Sequence, residues 1–195
     1  MEQVGTIPRP LVLGDLVPGE RVRDVLLVLG GAVVVGALAQ VSIPLGFTPV
    51  PITGQTLGVL VVGCALGFRR ALASTVLYGA LGVLGVPWFA GHAGGWPGAL
   101  TGYILGFILA AAVCGMLAER GADRSVLRCL PTMLAGELCI YVPGVTWLAL
   151  YAHLGPLTAL ALGCTPFLVG DALKLALAAG LLPAAWALTR PHRRA

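Results

Sequence analysis

Asp171 and Lys174 lie three residues apart in a stretch, 165–188, that otherwise carries no charge. Residues i and i+3 share one face of a helix, so the acid and the base can point the same way. Taking a charge to mid-membrane depth costs between ~2.5 and ~17 kcal/mol, depending on the method. An opposed pair on one face of so apolar a helix therefore marks a cavity for a polar solute, with a purely structural ion pair as the alternative. Glu137 is the other charge inside an apolar stretch. It is neutral, paired across the bundle with Lys174 as one candidate, or part of the same site. Recognition, and not catalysis, is the chemistry these residues suggest. No Ser/His/Asp or HExxH arrangement accompanies them, and no GxGxxG or Walker A sequence marks a nucleotide site. The chain reads as a non-enzyme that does not hydrolyse ATP by itself.

The elements that must position these residues follow from hydropathy. The 195-residue chain is 58% hydrophobic and 10% charged, with a mean hydropathy of +0.95, where a soluble domain carries about 25% charged residues. The fold class is all-α: a polytopic membrane protein with six transmembrane helices at 22–40, 55–68, 71–86, 101–118, 128–150 and 165–188. The second and third are short and must tilt, extend or be shielded. Of twelve Lys and Arg, all but Lys174 lie outside these spans or at their ends. Arg9, Arg21 and Arg23 precede the first, Arg69 and Arg70 join the second to the third, and Arg120, Arg124 and Arg128 join the fourth to the fifth. Arg190, Arg193 and Arg194 follow the sixth, while loops 41–54, 87–100 and 151–164 hold no Lys, Arg, Asp or Glu. The positive-inside rule then places both termini in the cytoplasm and those loops outside. Residues 1–21 read as a cytoplasmic lead without a signal peptide, 22–190 as the six-helix substrate-binding domain and 191–195 as a basic cytoplasmic tail. The +4 net charge is a topology signal and does not indicate nucleic-acid binding. The five cysteines are scattered, with no CxxC and no histidine at ligand spacing, and read as buried small hydrophobes; the three histidines fall in separate segments, so no metal cluster is indicated.

Two of the outside loops suit a binding cavity. The first carries Pro44, Pro49 and Pro51 and no charge, which makes it extended and stiff enough to fold back as a lid; a plain connector is the alternative. Thr53, Gln55 and Thr56 place hydrogen-bonding groups at the mouth of the second span. The second loop, 87–98, is rich in glycine and holds Trp88, Phe89 and Trp96. It can sandwich a ring, although each tryptophan taken alone fits the aromatic belt of the membrane interface better. Ala32 and Gly36 form a small-xxx-small face on the first helix, for a contact within the molecule or with a partner.

These segments together resemble the BioY family, the biotin-capturing membrane component of energy-coupling-factor transporters. The resemblance runs over about 22–188. It is carried by Ser42-Ile-Pro-Leu-Gly-Phe-Thr-Pro-Val-Pro-Ile-Thr53 with Gln55-Thr56, by Tyr78, Gly82, Gly85 and Pro87, by Phe89-Ala-Gly91 and Gly94-Gly95, and by Gly102-Tyr103 with Leu105-Gly-Phe107. Ile140-Tyr141, Gly144, Trp147-Leu148, Pro166-Phe167 and Gly170-Asp171 with Lys174 complete it. The chain departs from the family pattern in three places. Gly98-Ala-Leu-Thr101 stands where Gly-Pro-Thr is usual, His92 replaces a second glycine, and Glu137 stands where a neutral polar residue is common.

The resemblance implies a pocket near the outer face that takes biotin as transported substrate, with no cofactor. Asp171 would accept from a ureido N–H, and Lys174 would donate to the ligand's carbonyl or its carboxylate. Trp88, Phe89 and Tyr141 would enclose the bicycle, with Thr53, Gln55, Gly91, Tyr103 and Glu137 completing the substrate-binding set, and without ligand Asp171 and Lys174 would pair. It also implies a transmembrane coupling subunit and two ATPases as partners, met through Ala32 and Gly36, in a bacterial-type cytoplasmic membrane. A capture component for another vitamin, a membrane scaffold and, weakly, a membrane-embedded enzyme are the competing readings.

Overall fold

The computed structural model describes residues 11–19 and 21–189; Arg9, the last three arginines and the 191–195 tail lie outside them. The described residues hold seven α-helices: α1 (Arg21–Ala39), α2 (Gln55–Leu66), α3 (Phe68–Val83), α4 (Thr101–Glu119), α5 (Val126–Tyr151), α6 (Pro156–Gly163) and α7 (Leu168–Thr189). A two-stranded hairpin, β1 (Ser42–Ile43) with β2 (Ile52–Thr53), is the only sheet among the described residues.

Among the described residues, four helical segments are long and apolar enough to cross a membrane: α1, α4, α5 and the stretch that holds α6 and α7. At 12 and 16 residues, α2 and α3 rise only about 18 and 24 Å against a hydrocarbon core of about 30 Å. They follow one another almost directly. The chain turns at Gly67, whose φ of 78° is a left-handed value that favours glycine. The Glu119 Oε1 atom accepts from the Phe68 amide at 2.9 Å, satisfying one of the free N–H groups that open α3.

Loop 151–164 differs from the sequence reading. It contains α6, started by Pro156 at its first turn, where a residue without an N–H costs nothing. Eight residues rise only about 12 Å, too little to span a bilayer. The last helix accordingly begins at Leu168, after a 3₁₀ turn over Thr165–Phe167.

Helix α4 is central, packed by α2, α3 and α5. Its approach to α5 is set by glycine. A Cβ on Gly102 would lie 2.3 Å from the Pro143 carbonyl oxygen, and one on Gly106 would lie 2.7 Å from Ile140 Cα. Without a hydrophobic drive between helices in lipid, such close backbone packing is what holds the pair. The outward faces carry large apolar side chains such as Val33, Leu109, Leu138 and Leu173, which lipid solvates well.

The small-residue face of α1 is an internal contact. Ala32 is 1% exposed, and a Cβ on Gly36 would meet the Trp88 ring at 3.1 Å. The partner role expected for Ala32 and Gly36 therefore does not suit this arrangement, because Trp88 and α3 already fill the groove. The outward face of α1 is formed instead by residues such as Gly30, Val33, Val34 and Ala37.

At the arginine-rich end, polar contacts gather the helices. Arg70 bridges Asp15 at 2.8 Å and Asp24 at 3.1 Å. Burial opposes ionisation of Asp15, yet the Arg70 bond, the Val12 and Leu11 amides and the guanidinium charge together hold its carboxyl below the usual value. The segment before α1 thus docks on the bundle, with Val12 buried in its inner core. Trp186 Nε1 donates to the buried Asp123 at 2.5 Å, and the Arg124 guanidinium lies 4.7 Å from the Trp186 ring.

Candidate functional site

A cavity opens between loops 41–54 and 87–100 and α2, α4, α5 and α7. It offers about 180 Å³ to the centres of water-sized molecules, over ten times the ~10–15 Å³ that one water needs. That is room for a small organic solute. Val50, Pro51 and Thr53 come from the first loop, and Phe89 and Trp96 from the second. Ile104, Phe107, Ile140 and Phe167 supply apolar wall.

The first loop reaches this position because β1 and β2 pair antiparallel, Ser42 opposite Thr53 and Ile43 opposite Ile52. Thr48 Oγ1 then donates to the Leu162 carbonyl of α6 at 2.9 Å. The loop thus walls the cavity with Val50, Pro51 and Thr53 and is tied to α6. The second loop is held by Gln40, whose Nε2 donates to the carbonyls of Gly36 and Trp88, each at 2.9 Å.

The polar end of the cavity is built on three helices. Asp171, in the first turn of α7, is 4% exposed, where the positive end of the helix dipole favours an anion. Lys174 Nζ donates to Asp171 Oδ1 and to Thr56 Oγ1, both at 2.9 Å. The Tyr141 hydroxyl, from α5, donates to Asp171 Oδ2. The expected pairing of Asp171 with Lys174 is therefore present, buttressed from α2 and α5. Such a group presents a carboxylate acceptor and an ammonium donor side by side against aromatic walls.

Of the residues expected at the site, Thr53, Gln55, Phe89, Tyr103, Tyr141, Asp171 and Lys174 line this cavity. Two are also committed elsewhere: Gln55 Nε2 donates to the Tyr78 hydroxyl at 2.6 Å, and the Tyr103 hydroxyl donates to the Gly163 carbonyl at 2.7 Å. Trp88, Gly91 and Glu137 are not in the lining. Trp88 packs behind Phe89, its Nε1 donating to the Tyr78 carbonyl at 3.0 Å and its ring 5.3 Å from that of Tyr78. Gly91 supplies a φ of 68° to the turn that carries Phe89. Glu137 is buried in α5, and neither of its carboxyl oxygens has a hydrogen-bond partner among the described residues. Lys174, the partner suggested for it, is taken by Asp171 and Thr56. Thr56 is the polar residue whose part the sequence understated. It lies one residue past Gln55 on the first turn of α2, and only the packing of α2 on α7 brings it to Lys174.

Comparisons with known proteins agree over nearly the whole chain. The model of the BioY family matches residues 11–191. The biotin transporter BioY of Rhizobium etli is 36% identical over 168 residues, covering 80% of this chain and 89% of the relative. The probable biotin transporter BioY of Pyrococcus horikoshii is 37% identical over 161 residues, covering 81% and 93%, and the biotin transporter BioY of Thermotoga maritima is 39% identical over 150, covering 75% and 85%. Among solved structures, the S-component for biotin from an ECF-type ABC transporter superposes with a TM-score of 0.77, covering 86% of this chain and 92% of that one at 24% identity. That likeness is one of fold. With its family model matched from end to end of the bundle and relatives above 30% identity at this coverage, the chain belongs to the BioY family.

Proposed function

We propose that this chain is the biotin-capturing component of an energy-coupling-factor transporter in a cytoplasmic membrane. The observation that carries the reading is the Asp171–Lys174–Tyr141–Thr56 cluster at the polar end of a cavity walled mainly by aromatic and aliphatic side chains. Biotin offers what this cavity would hold: a ureido group with two N–H donors and a carbonyl acceptor, an apolar thiophane ring, and a carboxylate tail. Asp171 would accept from a ureido N–H, and Lys174 would turn from it to a ligand oxygen. Phe89 and Tyr141 would flank the rings while the first loop covers them. The names of the relatives point to the same substrate.

In this reading the chain crosses the membrane six times with both termini in the cytoplasm, residues 22–190 forming the substrate-binding domain. The short α2 and α3 are shielded from lipid by their neighbours, and the arginine-rich end faces inward. Energy would come from a transmembrane coupling subunit and two ATPases. Because Trp88 and α3 cover Ala32 and Gly36, we assign the coupling contact to the outward face of α1. There a Cβ on Gly30 meets nothing within 4 Å, which leaves a shallow surface for another helix.

Calorimetric titration of biotin into the purified protein tests the reading, with Asp171→Asn and Lys174→Ala alongside. Saturable one-to-one binding that collapses in both variants is expected. A folded wild-type protein that gives no heat with biotin, and heat with thiamine or riboflavin, would reassign the substrate.

A further inference from the structure

Four tryptophans are present, and three have their indole N–H fixed. Trp88 donates to the Tyr78 carbonyl, Trp147 to the Gly98 carbonyl, and Trp186 to Asp123. Trp96 has no hydrogen bond among the described residues and is 67% exposed, yet it lines the cavity. Its backbone is held on both sides. The Gly95 amide donates to the Gly82 carbonyl at 2.8 Å. The Gly98 carbonyl accepts from Trp147 Nε1 at 2.9 Å and from Thr101 Oγ1 at 2.8 Å. Between these anchors Gly95 and Gly98 adopt φ of 89° and 56°, left-handed values that a side chain would disfavour. The result is a tight tip that presents one large, unattached indole at the cavity mouth.

We infer that Trp96 is a ligand clamp: its indole closes on the ring of a bound solute and slows its escape, favouring ring-bearing ligands over open-chain ones. This rests on the biotin-capture reading. The physical case is that the exposed indole face and a ligand ring remove each other from water, while the anchored backbone keeps the loop's share of the ordering cost small. A tryptophan that served only the membrane interface would be indifferent to the cavity's contents.

The test combines biotin calorimetry with acrylamide quenching of tryptophan fluorescence and stopped-flow dissociation, on wild type, Trp96→Phe and Trp96→Ala. Biotin is expected to reduce quenching in wild type and to leave the Trp96→Phe signal unchanged. In Trp96→Ala, dissociation should be about tenfold faster, equivalent to about 1.4 kcal/mol, with association little altered; Trp96→Phe should restore most of the residence time. Calorimetric binding with unchanged quenching and unchanged dissociation in Trp96→Ala overturns the clamp and leaves biotin capture standing. No calorimetric binding in wild type overturns both.

Discussion

Asp171→Asn separates what the ion pair does for the fold from what it does for the ligand. The carboxylate is 4% exposed and accepts from Lys174 at 2.9 Å, from Thr56 at 3.5 Å and from the Tyr141 hydroxyl. Asparagine keeps the shape and can still accept from Tyr141, but it leaves the Lys174 ammonium without its counter-ion. Breaking a buried pair from one side costs ~3–5 kcal/mol. The Lys174 side chain is 15% exposed, into the cavity, so water can relieve part of this and the lower end, about 3 kcal/mol, applies. For a chain of this length that is a fall in Tm of roughly 6–12 °C. Removing the stranded charge as well, in Asp171→Asn/Lys174→Met, should recover most of the loss, because two neutral groups of similar shape leave no charge unmet. Biotin affinity should fall by about a hundredfold or more in the single variant, the equivalent of about 3 kcal/mol, and should not recover in the double. Thermal unfolding and calorimetry on the same three preparations, wild type included, read both effects. A double variant no more stable than the single would refute the argument that an uncompensated ammonium is the cost. Unchanged affinity in Asp171→Asn would remove Asp171 from the site.

Five further variants probe the frame around the site. Gly106→Ala places a Cβ 2.7 Å from Ile140 Cα and 2.8 Å from its carbonyl oxygen, backbone atoms that cannot rotate away. Overpacking of about 1–3 kcal/mol should lower Tm, whereas Gly180→Ala, with nothing within 4 Å, should raise it slightly through helix propensity; equal effects would discount the close α4–α5 approach. Gly36→Leu should disturb folding, because the new side chain meets the Trp88 ring, while Gly30→Leu should leave folding and biotin binding intact and weaken assembly with the coupling subunit in reconstituted vesicles. Full assembly of Gly30→Leu would move the contact off that face of α1. Burial raises the Asp123 carboxyl above its ordinary value of 3.8, against the lowering effects of the Trp186 bond, its own backbone and Arg124. The folded state therefore binds that proton more tightly, and the group's stabilising contribution is lost as pH rises from about 3.8 through the folded value. Asp123→Asn should gain on wild type in Tm between pH 4.5 and pH 7.5; a constant difference would contradict it.

What the sequence made legible is what membrane insertion makes expensive. Two charges in 165–188 had to face inward together, so the Asp171–Lys174 pair and its helix could be read directly. The helices long enough to cross were legible for the same reason, as uninterrupted apolar runs. The α6 helix was not, because its eight residues carry neither a span's length nor a charge at either end. The small-residue stripe at Ala32 and Gly36 was visible, but a stripe does not say what fills it, and here Trp88 does. The same spacing at Gly102 and Gly106, which sets the α4–α5 contact, has no stronger signature in one dimension. Trp88 and Trp96 both lie in one glycine-rich loop, and only the turn at Gly91 and the anchors at Gly95 and Gly98 decide that one points into the core and the other to the cavity.

The placement of polar groups along α7 follows from the solvent as well. Its outward side chains, among them Val169, Leu173, Leu181 and Leu188, are exposed and are as well solvated by lipid as by protein, so apolar area does not drive this helix against the bundle. Small residues at Ala178 and Ala179 permit close contact in the middle. At its start Asp171 and Lys174 bind α7 to α2 and α5, and fifteen residues later, about 22 Å along the axis, Trp186 binds it to the loop between α4 and α5 through Asp123 and Arg124. The pair that would hold the ligand is thus also one of two polar pins on its helix. A solute that takes Asp171 or Lys174 must replace a bond that positions α7, which is why a ligand with both donors and acceptors suits this cavity better than one with either alone.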